Sequence, residues 1–152
     1  MSVYSIKEKK ERAIMKEIIP GLILGGLRDL NDILKAEPDV LFPLDRLPGT
    51  VWDSGFRGEI VYYPITDMDV LPDDVLDKLV DAIVARLQAQ KRVAVFCVGG
   101  HGRTGYATSC VLHRMGYDNP VTFLRKNYSM SAVETEAQAE AVFRYIHRHR
   151  DI

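Results

Sequence analysis

The chain has 152 residues, of which 47% are hydrophobic and 27% are charged, and its formal net charge is −1. This length fits one domain with a core of its own, and the composition is that of an ordinary globular protein rather than a disordered or membrane-spanning one. The small net charge excludes a general electrostatic attraction to nucleic acid or to an anionic membrane. An anionic ligand would therefore have to be bound by a local arrangement of groups.

The N-terminal segment from Met1 to Glu17 is rich in Lys and Glu, without the apolar stretch and small-residue cleavage site of a signal peptide. Apolar residues at Ile6, Ile14 and Ile18 among alternating charges predict a solvated helix. No apolar run reaches the roughly 18 residues that would span a bilayer. We therefore expect a cytoplasmic protein with one domain over residues 1–152, in which residues 1–18 form a helical extension.

Glycine and proline separate the predicted strands from the predicted helices along the chain. Short apolar runs predict strands over residues 22–24, 40–44, 59–65 and 92–96. Helical spacing predicts a short helix through Leu30 and Leu34, a long one over 72–90, and one over 104–115. Asn119-Pro120 predicts a further helix start, and a capping box of Ser131 and Glu134 predicts the start of the last helix. This order indicates an α/β fold whose central, mainly parallel sheet of four to five strands is flanked by helices.

One motif lies between the strand over 92–96 and the helix that follows it, and it contains a cysteine, four glycines and an arginine: Cys97-Val98-Gly99-Gly100-His101-Gly102-Arg103-Thr104-Gly105. The nucleophilic form of cysteine is the thiolate, which backbone N–H groups at a helix N-terminus favour. Glycines allow a loop to curl until its amides converge on one point and bind an anion. Residues 98–103 are therefore the predicted phosphate-binding loop, with Cys97 as the nucleophile.

Two further side chains of this motif have a chemical role in the same prediction. Arg103 can bind two phosphate oxygens at once and stabilise the charge that develops during phosphoryl transfer. Thr104 can donate its hydroxyl to the thiolate when that sulfur leaves phosphorus. Cys110, by contrast, lies in the apolar helical run beside Val111 and is interpreted as a buried core residue.

The Cys-x5-Arg-Thr-Gly motif after a buried strand resembles the signature loop of the protein tyrosine phosphatase superfamily, in its compact dual-specificity and small prokaryotic forms. Three other segments resemble the family: residues 19–25 its first strand, Pro64-Ile65-Thr66-Asp67 its general-acid loop, and Gln138 its water-positioning glutamine. The resemblance covers about residues 19–146. It implies hydrolysis of phosphate monoesters through a cysteinyl-phosphate intermediate.

Asp67 is the first choice for the general acid, because it follows a predicted strand and matches the family pattern, while Asp69 stays open as the alternative. Gln138 is either the water-positioning residue that the resemblance implies or a solvated helix residue. One position departs from the family, since Phe96 stands where a histidine usually precedes the nucleophile. That departure weakens the implied activation of Cys97.

The expected substrate is a phosphorylated protein or peptide, with phosphotyrosine first and phosphoserine or phosphothreonine also open. A non-protein substrate, such as a phosphoinositide, an inositol phosphate or an RNA 5′-phosphate, is an alternative, although residues 98–102 include no lysine to bind extra phosphates. A phosphopeptide-binding module without turnover is a third reading. We expect no metal site, because His147 and His149 lie on different faces of a helix. We also expect no cofactor and no nucleic-acid or membrane partner, and we assume a monomer.

Overall fold

A computed structural model of the chain describes residues 15–45 and 54–150. Its strands are β1 (Lys16–Ile19), β2 (Leu22–Gly26), β3 (Val40–Pro43), β4 (Glu59–Ile60) and β5 (Val93–Cys97). Its helices are α1 (Leu30–Lys35), which continues a 3-10 turn at Leu27–Asp29, α2 (Asp73–Gln88), α3 (Gly102–Arg114), α4 (Pro120–Asn127) and α5 (Glu136–Arg148). In the described ranges, no helix is both long and apolar enough to cross a membrane.

The five strands form one sheet in the order β1-β2-β5-β3-β4. All neighbouring pairs are parallel except β1 and β2, which are antiparallel. The α/β fold with a mainly parallel sheet and flanking helices is thus confirmed. At its centre β5 pairs with β2 on one side and with β3 on the other, so that Cys97 lies level with Gly26, and Phe96 with Pro43.

Alternating residues of the central strands pack into two separate cores, one on each face of the sheet. Val93, Val95 and Cys97 of β5 belong to the larger core, which the helices α2, α3 and α5 complete. Ala94 and Phe96 point to the other face, where α1 packs. Burial on both faces explains why these strands read as continuous apolar runs in the sequence.

Two predictions about strands and the N-terminal helix need correction. Residues 16–18 do not continue a helix, because Lys16–Ile19 forms the antiparallel edge strand β1, which buries Ile18 and Ile19 and leaves Lys16 exposed. The rest of the predicted extension lies in residues 1–14, outside the described part of the chain. The strand predicted over 59–65 is regular only at Glu59–Ile60. Residues 61–65 still run along β3, through N–H bonds from Val61 to Leu41 and from Ile65 to Leu44.

The start of the last helix was also predicted wrongly. The residues of its capping box are Thr135 and Gln138, and the helix begins at Glu136 rather than after Ser131. Both pairs fit the same sequence pattern, a hydroxyl residue followed three positions later by Glu or Gln. The tertiary fold decides between them, because it brings the Glu134 side chain to the start of α3 instead.

Gly105 in α3 provides a test of this packing. A Cβ at this position would lie 2.8 Å from the Cα and Cβ of Ala132. Glycine to alanine in a helix interior normally stabilises a protein by up to about 1 kcal/mol, but overpacking against backbone costs about 1–3 kcal/mol. We expect Gly105→Ala to lower the free energy of unfolding in urea.

The control for this prediction is the reverse substitution at a solvent-exposed helix position, Ala85→Gly in α2. It should also destabilise the protein, by about 1 kcal/mol, through helix propensity alone. If Gly105→Ala stabilised the protein while Ala85→Gly destabilised it, α3 would not be packed against residue 132 as described.

Candidate active site

The motif residues 97–103, called the cysteine loop from here on, connect β5 directly to α3. The loop leaves the sheet at the carboxyl end of its central strand, between the ends of β2 and β3. In parallel α/β sheets this edge is where ligands bind. The fold therefore places the predicted phosphate-binding residues at the expected edge.

Gly100 determines how tightly the cysteine loop turns. Its φ is +78°, a left-handed conformation that residues with a side chain rarely adopt. A Cβ on Gly100 would lie 2.7 Å from the backbone of Gly25 and Gly26 at the end of β2. The loop therefore reaches its observed position only with glycine at residue 100.

The sulfur of Cys97 accepts two hydrogen bonds inside the loop. The Gly100 N–H and the Thr104 hydroxyl each donate to Sγ over 3.1 Å. Thr104 is fully buried and Cys97 nearly so, so neither hydrogen bond is open to competition from bulk water. This arrangement stabilises negative charge on the sulfur, and it brings Cys97, Gly100 and Thr104 together as the sequence predicted.

Arg103 begins the first turn of α3, and its guanidinium is buried among three groups. Its Nη1 donates to the carbonyl oxygen of Ile65 over 3.0 Å and lies 2.9 Å from a carboxylate oxygen of Asp45. Its Nη2 lies 3.5 Å from a carboxylate oxygen of Asp67. Nη1 is thus held by two partners, and the looser contact of Nη2 leaves that side of the guanidinium for a ligand.

The two candidate acids differ in their positions. Asp67 faces Arg103 and lines the cleft, with a side chain that is 76% exposed. The Asp69 carboxylate accepts the N–H of Val70, as the Asp67 carboxylate accepts that of Met68. Asp69, however, is not among the described residues that line the cleft. The geometry therefore favours Asp67 over Asp69 as the residue that can reach a bound substrate.

The cleft above Arg103 has a volume of about 470 Å³. Its described lining consists of Asp45, Pro64, Ile65, Thr66, Asp67, Val98 and Arg103. Among these residues one cation, Arg103, stands beside two carboxylates. The cleft as described thus offers a single positive group for one anion.

Gln138 is not a solvated helix residue, because its side chain is 1% exposed. Its Oε1 accepts the N–H groups of Glu134 and Thr135, over 2.8 Å and 3.2 Å. The same amide lies against Gly102, where a Cβ would come within about 3.2 Å of Nε2. Gln138 is therefore placed beside the cysteine loop, with its oxygen engaged in the helix cap.

Glu134 approaches the cysteine loop more closely than the sequence indicated. Its Oε1 accepts the N–H of Gly102 over 2.8 Å, at the N-terminus of α3. A carboxylate at this position is stabilised by the helix dipole. The next loop residue towards Cys97, His101, is half-buried, and its Nδ1 lies 2.6 Å from the hydroxyl of Ser129.

Two residues that the sequence singled out lie away from the cleft. Phe96 packs into the core on the α1 face of the sheet, where it is 2% exposed. Cys110 is fully buried in α3, and this burial raises the pKa of its thiol. The interpretation of Cys110 as a core residue agrees with its position.

The sequence reasoning missed Asp45 and Glu134 as neighbours of the site. Asp45 carried a recognisable signal, because it follows β3 by two residues and parallel strands end at one edge of the sheet. The sequence signal at Glu134 was misleading, because this residue fitted a capping box with Ser131. Neither pairing is visible from sequence spacing alone, because Asp45 and Arg103 are 58 residues apart in the chain.

Comparison with known families gives a match over residues 52–150 to the model described as "PTP-SAK: Swiss Army Knife protein, DSP-PTPase phosphatase domain". The matched segment is most of the chain and contains the cysteine loop. The chain belongs to this family. Residues 52–150 thus form a phosphatase domain of the dual-specificity type within the protein tyrosine phosphatase superfamily, as the resemblance of the motif predicted.

Individual proteins are similar to this chain in sequence or in fold. The chain is 38% identical over 86 residues to the uncharacterized protein MJ0215 of Methanocaldococcus jannaschii, a match that covers 57% of this chain and 54% of that protein. The chain thus spans about half the length of this relative. Among solved structures, Tk-PTP in its active form superposes with a TM-score of 0.76 at 23% identity, over 89% of this chain and 97% of that one.

The complex of PTPMT1 with PI(5)P is also similar in fold, with a TM-score of 0.73 at 15% identity, over 89% of this chain and 96% of that one. These levels of identity show a shared fold.

Within residues 15–45 and 54–150, no three His, Cys, Asp or Glu side chains are grouped so that they could hold a metal ion.

The two cysteines should differ sharply in reactivity. We expect iodoacetamide to label Cys97 but not Cys110 in the native protein, because Cys110 is sealed in the core and its pKa is raised by burial. Mass spectrometry after brief labelling at neutral pH measures the difference. Inorganic phosphate should slow the labelling of Cys97 if it occupies the cysteine loop.

Both cysteines should react after unfolding in urea, which serves as the internal control. Equal labelling of Cys110 in the native protein would show that α3 is not packed as described. If phosphate left the rate of Cys97 labelling unchanged, the loop would not bind this anion.

Proposed function

We propose that this phosphatase hydrolyses phosphate monoesters of protein side chains, phosphotyrosine first among them, through a cysteinyl-phosphate intermediate on Cys97. One observation supports this most strongly: Arg103 and Asp67 line the same cleft at the mouth of the loop that carries the sulfur. An anion binder, a nucleophile and a proton donor are thus within one substrate's reach.

In the first step, the phosphate occupies the cysteine loop and binds Arg103 through Nη2 and Nε, while Nη1 remains on Asp45 and Ile65. The Cys97 thiolate attacks phosphorus, so that a P–S bond forms as the P–O bond to the leaving group breaks. Asp67 gives its proton to the departing oxygen. The products of this step are the dephosphorylated alcohol or phenol and the phosphocysteine.

In the second step, a water attacks phosphorus and breaks the P–S bond. The Asp67 carboxylate takes the proton of that water, which restores the acid for the next cycle. The Thr104 hydroxyl, 3.1 Å from Sγ, stabilises the thiolate as it leaves. Gln138 lies beside Gly102 and is the residue we assign to hold the water, through the Nε2 group that the helix cap leaves available.

The charges of the cleft support a substrate with a single phosphate. Asp45 and Asp67 would repel further phosphates on the same molecule, and Arg103 is the one cation among the described lining residues. The likeness to PTPMT1, a protein crystallised with PI(5)P, makes a lipid monophosphate the competing substrate to test. The buried free thiols of Cys97 and Cys110 suit the reducing cytoplasm, where we expect the protein to act as a monomer.

A substrate panel tests the proposal directly. Phosphate release from a phosphotyrosine peptide, a phosphoserine peptide, PI(5)P vesicles and para-nitrophenyl phosphate should be fastest with the phosphotyrosine peptide on a kcat/KM scale. Cys97→Ser should abolish turnover and keep phosphopeptide binding, because the backbone amides and Arg103 remain. Turnover by Cys97→Ser would overturn the mechanism. A preference for PI(5)P would show that the substrate is a lipid monophosphate rather than a phosphorylated protein.

A pair of neighbouring substitutions tests the assignment of the acid. Asp67→Asn should remove the alkaline limb of the kcat/KM profile, because that limb reports loss of the essential proton from the free enzyme. It should slow phosphotyrosine hydrolysis by ~10²- to 10⁴-fold, and that of para-nitrophenyl phosphate much less, since the nitrophenol leaves without help. Steady-state kinetics across pH measure both effects.

Asp69→Asn is the matched control, two residues along the same loop. It should retain both the alkaline limb and the wild-type rate. If Asp69→Asn showed the leaving-group dependence and Asp67→Asn did not, the acid would be Asp69 and the cysteine mechanism would still stand.

A further inference from the structure

Two hydrogen-bond donors outside the cysteine loop bind its carbonyl oxygens. The N–H of Leu27, just after β2, donates to the oxygen of Val98 over 3.0 Å. The hydroxyl of Tyr128, just after α4, donates to the oxygen of Gly100 over 2.6 Å. The loop is thus held by its carbonyl groups from two different elements.

Binding a carbonyl oxygen also fixes the direction of the next amide. In a planar trans peptide the C=O and the N–H point in opposite directions. A donor on the Val98 oxygen therefore turns the Gly99 N–H away from Leu27, and a donor on the Gly100 oxygen turns the His101 N–H away from Tyr128. The Gly100 N–H, between these two peptides, points at Sγ of Cys97.

We propose that Tyr128 is a positioning residue of the phosphatase, whose hydroxyl holds the Gly100–His101 peptide so that the His101 N–H faces the bound phosphate. This inference rests on the role of the cysteine loop given under Proposed function. Tyr128 does not touch the substrate. It acts by keeping one of the loop's amides aimed at the anion before the anion arrives, which avoids reorganisation during the reaction.

The chemistry of Tyr128 suits this role. Burial raises the pKa of its phenol, and the neighbouring Cys97 and Asp29 raise it further. The hydroxyl therefore remains protonated, and remains a donor, at every pH at which the enzyme would work. Its ring packs against the larger core, which fixes the direction of the hydroxyl.

The residues that follow Tyr128 hold the next two positions of the loop. Ser129 contacts the imidazole of His101, and Glu134 accepts the N–H of Gly102. Residues 128–134 thus contact three consecutive residues of the cysteine loop, from Gly100 to Gly102. Of these contacts, the one made by Tyr128 is the one that reaches a carbonyl oxygen of the loop, and deleting a single oxygen atom removes it.

Tyr128→Phe keeps the packed ring and removes only the hydroxyl. We expect the inhibition constant of inorganic phosphate against para-nitrophenyl phosphate to rise about 5- to 10-fold, the effect of one lost hydrogen bond, with a parallel fall in kcat/KM. In ¹⁵N-labelled protein, the downfield shift of the His101 amide on adding phosphate should shrink. A residue needed only for stability would change neither the inhibition constant nor this resonance.

Tyr145→Phe is the matched control. It also removes a buried tyrosine's hydroxyl, 3.3 Å from Arg114, which ends α3 on the side opposite the cysteine loop. It should lower stability in urea and leave phosphate inhibition unchanged. Wild-type inhibition by phosphate in Tyr128→Phe, or an equal loss in Tyr145→Phe, would overturn the role of Tyr128. A wild-type protein that neither binds phosphate nor hydrolyses the ester would overturn the proposed function itself.

Discussion

The contact of Gly100 with the backbone of Gly25 and Gly26 fixes the position of the cysteine loop. A Cβ on Gly100 would lie 2.7 Å from this backbone, and one on Gly26 would lie 2.9 Å from the carbonyl oxygen of Val98. Glycines on both sides of this contact let the loop fold down onto the end of β2. The Gly100 N–H then reaches the sulfur of Cys97, and the Gly100 oxygen reaches Tyr128. The geometry of the site thus depends on a glycine-to-glycine contact between the cysteine loop and the end of β2.

The second constraint is the burial of a charge. The guanidinium of Arg103 is almost inaccessible to solvent, and a buried cation is costly unless its partners compensate it. Asp45, just after β3, and the carbonyl of Ile65, at the end of the segment that runs along β3, compensate one side. Their positions leave the other side of the guanidinium towards Asp67 and the cleft. The same pairing therefore compensates the buried charge and orients the group that we propose to bind the phosphate.

The cysteine loop and its surroundings combine local and distant contributions. The thiol, the Gly100 amide and the Thr104 hydroxyl come from residues 97–104, and they meet because the chain passes from a strand into a helix. Residues 128–134 come from a separate segment and hold the loop from outside. The family match identifies the phosphatase domain and the similar structures show its fold, whereas the outer contacts are a property of this chain's own residues.

The sequence by itself determined the mainly parallel α/β order, the buried strand that leads to Cys97, and the loop that follows it. These features depend on apolar runs, glycine spacing and a short motif, all of which are local in the chain. It also favoured Asp67 as the candidate acid, which lies just after the chain segment that runs along β3.

Only the tertiary structure decided the edge strand at Lys16–Ile19, the start of the last helix, and the partners of the loop. Charged residues in an amphipathic pattern fit an exposed helix as well as an edge strand, and pairing with β2 decides for the strand. Ser131 and Thr135 both fit a helix start in the sequence, and the position of α3 assigns the side chain of Glu134 to Gly102 instead of to a cap at Ser131. Asp45 meets Arg103, and Tyr128 meets Gly100, across 58 and 28 residues. Contacts at such separations arise from packing, for which the sequence carries no local pattern.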